Sequence, residues 1–523
     1  MNSFCGLIIM ARGKTTKVAF KQNNQHQLMA FPPNLDDLIG QDHPVRVVNS
    51  VIDKLDINGL IEQYKPGGTS SYHPRMLLKV LLYAYMNNIY SSRKIEEAVQ
   101  QNIYFMWIAG MSRPDHNTIN RFRGQRLQQS LQPIFTQVVL LLCEEGVMSI
   151  KDLYTDGTKI EASASRYSCV WGKTIEKNKK KISEQLNELW KYAQSVAASE
   201  MDDTDPTTFK KIDSAKVSAT VAKINEALKD KKISSEIKQK LEDANENWAA
   251  DMEKYEQQEK MMGEDRSSYS KTDPDARLMR MKDDESPQGK LKLGFNIQLS
   301  TNNQYIANFS VHEQAVDVTT LITHLRRHKE AYKEMPKKLT TDAGYGSEEN
   351  FKLLEDEKVE AFVKHRDYDQ NQREGLKEEN RFKQDKLPYD SELDQYTCPA
   401  GQAMTYLRTR EEETTTGFKQ TIRQYQAQNC EGCPLRAGCH KSKENRIIHV
   451  NEQYTRLRKQ AEELLKSEEG IAKLKQRCCD VEPVFANIKV NHKFNRFMLR
   501  GIAKVEVETG LIALAHNLRK KAA

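Results

Sequence analysis

The chain has 523 residues, of which 38% are hydrophobic and 29% are charged. This length exceeds one ordinary hydrophobic core and predicts two or three domains, or one domain with large insertions. A net charge of +7 permits nucleic-acid binding without requiring it. No apolar stretch reaches the roughly 20 residues that span a bilayer, so we expect a cytoplasmic protein with no membrane contact, whose nine cysteines are reduced thiols or metal ligands.

The N-terminal part of the chain predicts a tail followed by a helical domain. Residues 1–33 are expected to be disordered, and residues 34–145 to be helical. HPRMLLKVLLYAYMN has apolar residues at helical spacing, SSRKIEEAVQQN offers a serine cap, and PDHNTINRFRGQRL opens another helix. Short helices ending in a basic one, with Arg121 and Arg123, are typical of a helix-turn-helix-like DNA reader. The alternative is a helical packing domain with solvated arginines.

Residues 146–523 predict a catalytic domain that two segments interrupt. Residues 172–285 predict an inserted, charged helical hairpin, whose alternating charges are more typical of a solvated face than of a binding surface. Two apolar stripes define its helices: Ile175, Ile182, Leu189 in the first and Val217, Val221, Ile224, Leu228 in the second. Residues 370–450 are polar, contain four cysteines, and predict an irregular insertion.

Between the two insertions the order of elements is that of an α/β fold. KDLYTDGTKIEAS contributes a strand before the first insertion. LGFNIQLST and YIANFSVHE predict a β-hairpin, followed by a helix over about 316–332. KKLTT, SEENFKLLED and VEAFVKH then predict strand, helix and strand, so the core is expected to be a mixed sheet with helices.

Two carboxylates follow strand-like runs and precede small residues. Asp156 comes before Gly157, and Asp342 comes before Ala343 and Gly344. Such carboxylates on neighbouring strands could share a divalent cation at the rim of a sheet, and Mg²⁺ prefers carboxylate, water and phosphate oxygens. Each pair alone is more often an ordinary turn, so only the joint pattern favours a metal site.

A third carboxylate is expected from a helix near the C-terminus. In CCDVEPVFANIK, Glu482 lies seven positions before Lys489, so both project from one helix face, and Arg477 lies five positions before it. A carboxylate flanked by bases could bind metal while the bases hold DNA phosphates. Pro483 predicts that Glu482 is near a helix N-terminus. The alternatives are a solvated salt-bridged helix, or Glu506 or Glu508 as the third acid.

Four segments in this order carry a resemblance to a known family. They are YHPRMLLKVLLYAYMNNIYSSRKIEEAVQQNIYFMWIAG with PDHNTINRFR, YTDGTKIEA, TTDAGYGSEENF, and VEPVFANIK with FNRFMLRGIAKVEVETGLIALAHNLRK. The chain resembles the DDE transposases of bacterial insertion sequences, and is most similar to the subgroup with a Tyr-Arg-Glu-Lys signature. The resemblance implies an RNase H-like catalytic core.

The resemblance also implies site residues and chemistry. Asp156, Asp342 and Glu482 match the three metal-binding acids, which would hold two Mg²⁺ or Mn²⁺ ions. Lys489 matches the signature lysine that contacts DNA, and Arg477 matches the arginine, one position farther from the glutamate than in the strict signature. Expected partners are transposon-end DNA, target DNA and a second copy in a homodimer, at the bacterial nucleoid. The alternatives are an RNase H-like nuclease that cuts without joining, and a non-catalytic domesticated relative.

Two further features of the sequence each allow a functional and a purely structural interpretation. Cys398, Cys430, Cys433 and Cys439, with His440 as a spare ligand, could close a tetrahedral Zn²⁺ site, or they could be reduced thiols. Tyr345 could stack on a displaced DNA base, because aromatic faces accept bases without sequence preference, or it could pack in its turn.

Overall fold

A six-stranded mixed sheet forms the centre of the computed structural model, which describes residues 34–64, 71–197, 212–281, 291–369 and 382–523. Strands β1 to β8 are Asp152–Glu161, Cys169–Trp171, Ser268–Ser270, Arg277–Arg280, Leu291–Asn302, Tyr305–His312, Lys338–Thr341 and Glu360–Val363. The sheet order is β4-β5-β1-β7-β8. The sixth strand, β6, also pairs with β5. Strands β1, β7 and β8 are parallel and the others antiparallel, which confirms the predicted α/β class and is consistent with an RNase H-like core.

The predicted hairpin is formed by β5 and β6. Its turn is built by Asn303 and Gln304, whose φ angles of 54° and 61° match the right-handed twist of the two strands. The apolar residues expected on one face, from Leu293 to Leu299, are buried. The polar residues of the opposite face are buried as well, because the helix Leu321–Tyr332 covers them.

A hydrogen-bonded polar network fills the space between β5, β6 and this helix. His324 Nε2 lies 2.7 Å from Ser300 Oγ, and His324 Nδ1 lies 2.7 Å from Ser310 Oγ. Ser310 Oγ also lies 2.7 Å from His312 Nε2. Because every polar atom taken out of water needs a partner, this network fixes the register of the helix on the sheet.

Buried histidines make stability depend on pH. Burial lowers the pKa to about 4 for His312, His328, His492 and His516, from an ordinary value of 6.5. The unfolded chain therefore binds protons near pH 6.5, whereas in the folded chain these histidines stay neutral until about pH 4. Their contribution to the free energy of unfolding is complete above pH 6.5 and is lost as the pH falls towards 4. Burial raises the pKa of Glu508 and of Asp273, which acts in the opposite sense, but these are two groups against four.

We expect the thermal unfolding midpoint to fall steadily between pH 7 and pH 4.5, measured by circular dichroism at constant ionic strength. His328→Phe, which keeps a ring against Tyr332, is expected to flatten this profile. A midpoint that does not change over this interval would show that these histidines are not buried in neutral form.

Helices account for most of the remaining structure. In the N-terminal part they are Pro44–Lys54, Asn58–Ile61, Pro74–Met86, Ser92–Gln101, Ile103–Ile108, His116–Arg121 and Leu131–Glu144; around the sheet they are Leu321–Tyr332, Glu348–Asp356, Arg436–Cys439, Glu452–Lys466, Glu468–Ala486 and Ile502–Lys521. The short 3-10 helix Leu35–Leu38 lies outside the compact unit of residues 42–523. The tail expected over residues 1–33 lies outside the described residues.

The C-terminal helix Ile502–Lys521 is buried on nearly all sides. It packs on β6 and on the helix Pro74–Met86. Glu508 is fully buried there, and its carboxylate accepts the hydroxyl of Tyr85 at 3.0 Å and lies 3.8 Å from Arg123 Nη1. The guanidinium of Arg123 is therefore in the core, where it offers no face to DNA, and its predicted contact with DNA stays a prediction. Arg121 is exposed.

The insertion after β2 is helical, and apart from Ile175 the residues of both apolar stripes lie in its core. In its described part, however, it has four α-helices rather than a hairpin: Gly172–Val196, Ser214–Leu228, Ser235–Asp243 and Ala249–Met262. Trp190 and Trp248 close this core. Exposed ion pairs such as Lys180–Glu184 lie outside it and contribute little stability.

The irregular structure predicted over residues 370–450 is wrong in its described part. Residues 389–450 form a five-stranded antiparallel sheet with the order β13-β12-β11-β10-β9. These strands are Tyr389–Asp390, Gln395–Thr397, Ala403–Glu413, Lys419–Ala427 and Ile447–Val450. The longest of them is exposed along most of its length, so it lacks the apolar alternation from which a strand is recognised.

Candidate functional site

The three acids singled out in the sequence come from three elements around the central sheet. Asp156 is in the middle of β1, and Asp342 directly follows β7, the parallel neighbour of β1. Asp342 Oδ1 accepts the backbone N–H of Gly344 at 2.8 Å, which fixes the turn. Glu482 is on the helix Glu468–Ala486, which packs against β1, β5 and β7.

One guanidinium connects these acids. Arg477 Nη2 lies 2.9 Å from Asp156 Oδ2 and 3.8 Å from Asp342 Oδ2, and Nη1 lies 3.9 Å from Glu482 Oε1. Arg477 is largely buried, so these charges attract more strongly than they would in water. The structure thus brings all three carboxylates around a single positive group.

Arg477 takes the position of a cation among the acids. Among the described residues, no group of three or more His, Cys, Asp or Glu side chains is already spaced to hold a metal ion. Closure of the three carboxylates on a metal would therefore require the guanidinium to move aside. The expected contact of Arg477 with DNA stays a prediction, and in this conformation its partners are carboxylates.

The helix that carries Glu482 differs from the prediction. It starts at Glu468, so Glu482 lies near its C-terminal end and Pro483 is inside it. Proline has no N–H for the carbonyl of Cys479, one turn earlier, and Gln304 Nε2 donates to that carbonyl at 2.9 Å instead. The helix then widens into the π-helical turn Asn487–Asn491. A proline tolerated by a tertiary contact cannot be recognised from local sequence.

The two rival acids have other partners. Glu506 forms an ion pair with Arg327, and Glu508 is buried with Tyr85 and Arg123. Glu482 is the one of the three that shares a guanidinium with Asp156. Its carboxylate is also the most exposed of the acids around Arg477, at 60%.

A fourth acid near the site was not singled out in the sequence. Asp317 follows β6, and its Oδ1 accepts the amides of Asn296 at 2.7 Å and Gln298 at 2.9 Å. A β-carbon at Gly157 would lie 2.6 Å from the same oxygen, so only glycine fits after Asp156. The available signal was an acidic residue at the start of a predicted helix, which we would ordinarily take for a capping residue.

Tyr345 is fully buried beside these acids. Its hydroxyl donates to Gln298 Oε1, and its pKa is raised far above the ordinary range, first by burial and then by the carboxylates of Asp317, Asp156 and Asp342. Its ring therefore has no open face for a DNA base in this structure. Burial supports the alternative, that Tyr345 packs in the turn.

A cleft of about 1120 Å³ opens beside Asp156 and Glu482. Its walls are the second half of β1, Lys292 of β5, and the chain from Glu482 to Asn495. Lys489 lies in this wall on the π-helical turn, as expected for a residue on the Glu482 face. Four lysines therefore line the cleft that also contains Asp156 and Glu482.

The four cysteines singled out in the sequence line one small cavity of about 20 Å³, together with His440. Backbone N–H groups approach two of the sulfurs, Gln402 to Cys398 Sγ at 3.3 Å and Arg446 to Cys430 Sγ at 3.4 Å. The side chain of Arg446 lies 3.1 Å from Cys439 Sγ. Hydrogen-bond donors therefore approach three of the four sulfurs that share this cavity.

Comparison with known proteins gives two matches. The family model described as "Transposase DDE domain" matches residues 397–522, and that described as "Transposase domain (DUF772)" matches residues 33–125. Glu482 lies within the first match, whereas Asp156 and Asp342 lie outside both. No curated protein and no solved structure matches the chain.

The two matched regions are similar to domains of transposases, and the mixed sheet is consistent with an RNase H-like core. The matches indicate an insertion-sequence DDE transposase family. Members of such families act on DNA ends and generally use divalent metals. Among the described residues, no helix has the length and apolar character that crossing a membrane requires.

Proposed function

We propose that this chain is a metal-dependent transposase that cuts DNA at transposon ends and joins the freed ends to target DNA. Asp156, Asp342 and Glu482 are the proposed metal ligands. The observation that carries the proposal is their meeting at one guanidinium, although Asp156 and Arg477 are 321 positions apart. Three acids from separate elements gathered around a positive charge at the end of a cleft suit a site that binds cations.

The donor set fits the proposed ions. Carboxylate oxygens are the ligands that Mg²⁺ and Mn²⁺ prefer, and they lie 2.9–3.9 Å from the guanidinium. Bound ions, two in the proposed site, would supply a nucleophilic water and stabilise the charge that develops on the phosphate. The acids of the chain hold the ions and are not themselves nucleophiles.

The proposed reaction has two steps. Hydrolysis breaks a phosphorus–O3′ bond at the transposon end and leaves a 3′-hydroxyl. That hydroxyl then attacks a phosphorus atom of the target strand, whose own O3′ leaves and takes the proton. Lys489, in the wall of the cleft, is placed to hold a phosphate near these oxygens.

The other expected partners belong to the same proposal. Exposed Arg121 and the helices of residues 34–145 are the proposed DNA-reading domain, and residues 146–523 the proposed catalytic domain. Two copies of the chain would bring two transposon ends together at the bacterial nucleoid.

The test is excision from a plasmid on which the coding sequence keeps its native flanking DNA, where the terminal repeats would lie. We expect the wild-type chain with Mg²⁺ to release a DNA segment with defined ends and to insert it elsewhere, read by junction sequencing. Asp156→Asn is expected to abolish release and to keep DNA binding, because the isosteric amide removes one metal ligand and no DNA contact.

Asp152→Asn is the matched control. Asp152 is on β1, as Asp156 is, and it pairs with Lys473 of the helix that carries Arg477 and Glu482. Release at the wild-type rate by Asp156→Asn would contradict the proposal. Cutting without insertion would identify a nuclease instead.

We also propose a structural zinc ion held by Cys398, Cys430, Cys433 and Cys439. The shared cavity and the N–H groups directed at sulfur support it. The purified chain is expected to contain one equivalent of zinc by elemental mass spectrometry, and Cys433→Ser to lose it. Cys478→Ser is the control, because Cys478 is exposed on the Glu482 helix. Full zinc content in Cys433→Ser, or none in the wild type, would contradict this site.

A further inference from the structure

A second cavity extends the cleft away from the acids. It has a volume of about 250 Å³ and is adjacent to the larger cleft, because Glu161 and Lys292 line both. We call the combined surface the β1 groove. It begins at Asp156 and Glu482 and reaches Arg166 and Arg496, beyond the end of β1.

Positive side chains follow the β1 groove along its whole length. They are Lys159, Lys292, Lys489, Lys493, Arg496 and Arg166. Outside the candidate metal site the acid in its wall is Glu161, which is paired with Lys292 at 3.3 Å and with Arg496 at 3.7 Å. A concave row of bases of this kind attracts a chain of phosphates and holds it in a defined direction.

An exposed aromatic residue stands at the far end of the groove. Tyr167 is 86% exposed, the guanidinium of Arg166 lies 5.1 Å from the centroid of its ring, and Trp171 is half-exposed nearby in sequence. An aromatic face beside arginine is what unpaired bases stack on. Buried Tyr345 offers no such face, so Tyr167 is the better candidate for the stacking role.

We propose that the β1 groove binds the backbone of a DNA strand that leads away from the cut, and that Tyr167 stacks on an unpaired base of that strand. The inference rests on the proposed function, because the strand is the product or substrate of the acids at the other end of the groove. It goes beyond that function by assigning the path of the strand and its single-stranded character.

The test is equilibrium binding of a fluorescent oligothymidine strand, measured by anisotropy in EDTA so that no cleavage occurs. Tyr167→Ala is expected to weaken binding of the single strand about tenfold and to leave binding of duplex DNA unchanged, whereas Tyr167→Phe keeps both. The pair Lys493→Gln and Arg496→Gln is expected to weaken binding and to lower the slope of log Kd against log salt by about 1.4, which is about 0.7 for each lost phosphate contact.

The matched control is the pair Arg326→Gln and Lys333→Gln. Both residues are exposed and lie outside the groove walls, and Lys333 has the same left-handed backbone as Lys493, with φ of 63° against 53°. Wild-type affinity and salt slope in the groove pair, or equal loss in the control pair, would overturn the inference. So would wild-type single-strand binding by Tyr167→Ala.

This binding assay and the excision experiment together separate the inference from the proposed function. If Asp156→Asn loses cleavage while the groove variants bind the strand normally, the catalytic role of the acids is supported and the proposed role of the groove is contradicted. If the groove variants lose strand binding while Asp156→Asn still cuts DNA, the proposed role of the groove is supported and the assignment of Asp156 as a metal ligand is contradicted.

Discussion

Replacing Glu508 with alanine is expected to lower the free energy of unfolding by about 3–5 kcal/mol. Glu508 is fully buried, and its carboxylate accepts hydrogen bonds from Tyr85 and from the backbone N–H groups of Met498 and Leu499. Removing it leaves the guanidinium of Arg123 in the core without its carboxylate. The cost is large because a buried charge that loses its partner can recover neither water nor another counter-ion.

Chemical denaturation followed by circular dichroism measures this effect. Glu506→Ala is the matched control: it is two positions away on the same helix and pairs with Arg327 near the surface, so it is expected to cost at most about 1 kcal/mol. Arg123→Met combined with Glu508→Leu is expected to be less destabilised than the sum of the single variants, since no lone charge remains. Equal stability of the two alanine variants would show that Glu508 is not paired in the core.

Glu482→Gln is expected to reduce DNA cleavage on the order of 10³-fold, because loss of one metal ligand removes about 4 kcal/mol of transition-state stabilisation. The substitution keeps the size of the side chain and the exposed position of the residue. Cleavage is measured under single-turnover conditions in Mg²⁺, on a duplex whose ends have been mapped in the excision experiment.

Glu506→Gln provides the comparison for this second prediction. The sequence offered Glu506 and Glu508 as alternatives to Glu482, and of these two Glu506 lies outside the core. It is expected to cleave at the wild-type rate, within about threefold. The assignment of Glu482 as the third acid would be contradicted if Glu506→Gln lost cleavage while Glu482→Gln cleaved at the wild-type rate.

Much of the central sheet could be predicted because its signals are local. The alternation in β5 and β6, the polar turn between them, and the serine cap before Glu348 each depend on neighbouring residues. Asp156 and Asp342 were recognisable for the same reason, since each ends or interrupts a strand and is followed by a small residue. That β1, which contains Asp156, and β7, which Asp342 directly follows, are parallel neighbours is an observation from the structure.

The features that were missed depend on contacts between distant residues. Arg123 resembles a solvated arginine until Glu508, far along the chain, is packed against it. Pro483 resembles a helix start until Gln304 replaces the hydrogen bond that it removes. Asp317 resembles a cap until Asn296 and Gln298 direct their amides at it. The longest strand before Cys430 is exposed along most of its length, so its sequence lacks the apolar alternation of a strand.

The central claim is that Asp156, Asp342 and Glu482 bind the same divalent ions. The most direct measurement is the anomalous scattering of Mn²⁺ in crystals of the chain soaked with that ion. We expect peaks within coordination distance of all three carboxylates, with the guanidinium of Arg477 displaced from between them. Mn²⁺ bound elsewhere, or bound while Arg477 keeps its contact with Asp156, would contradict the account.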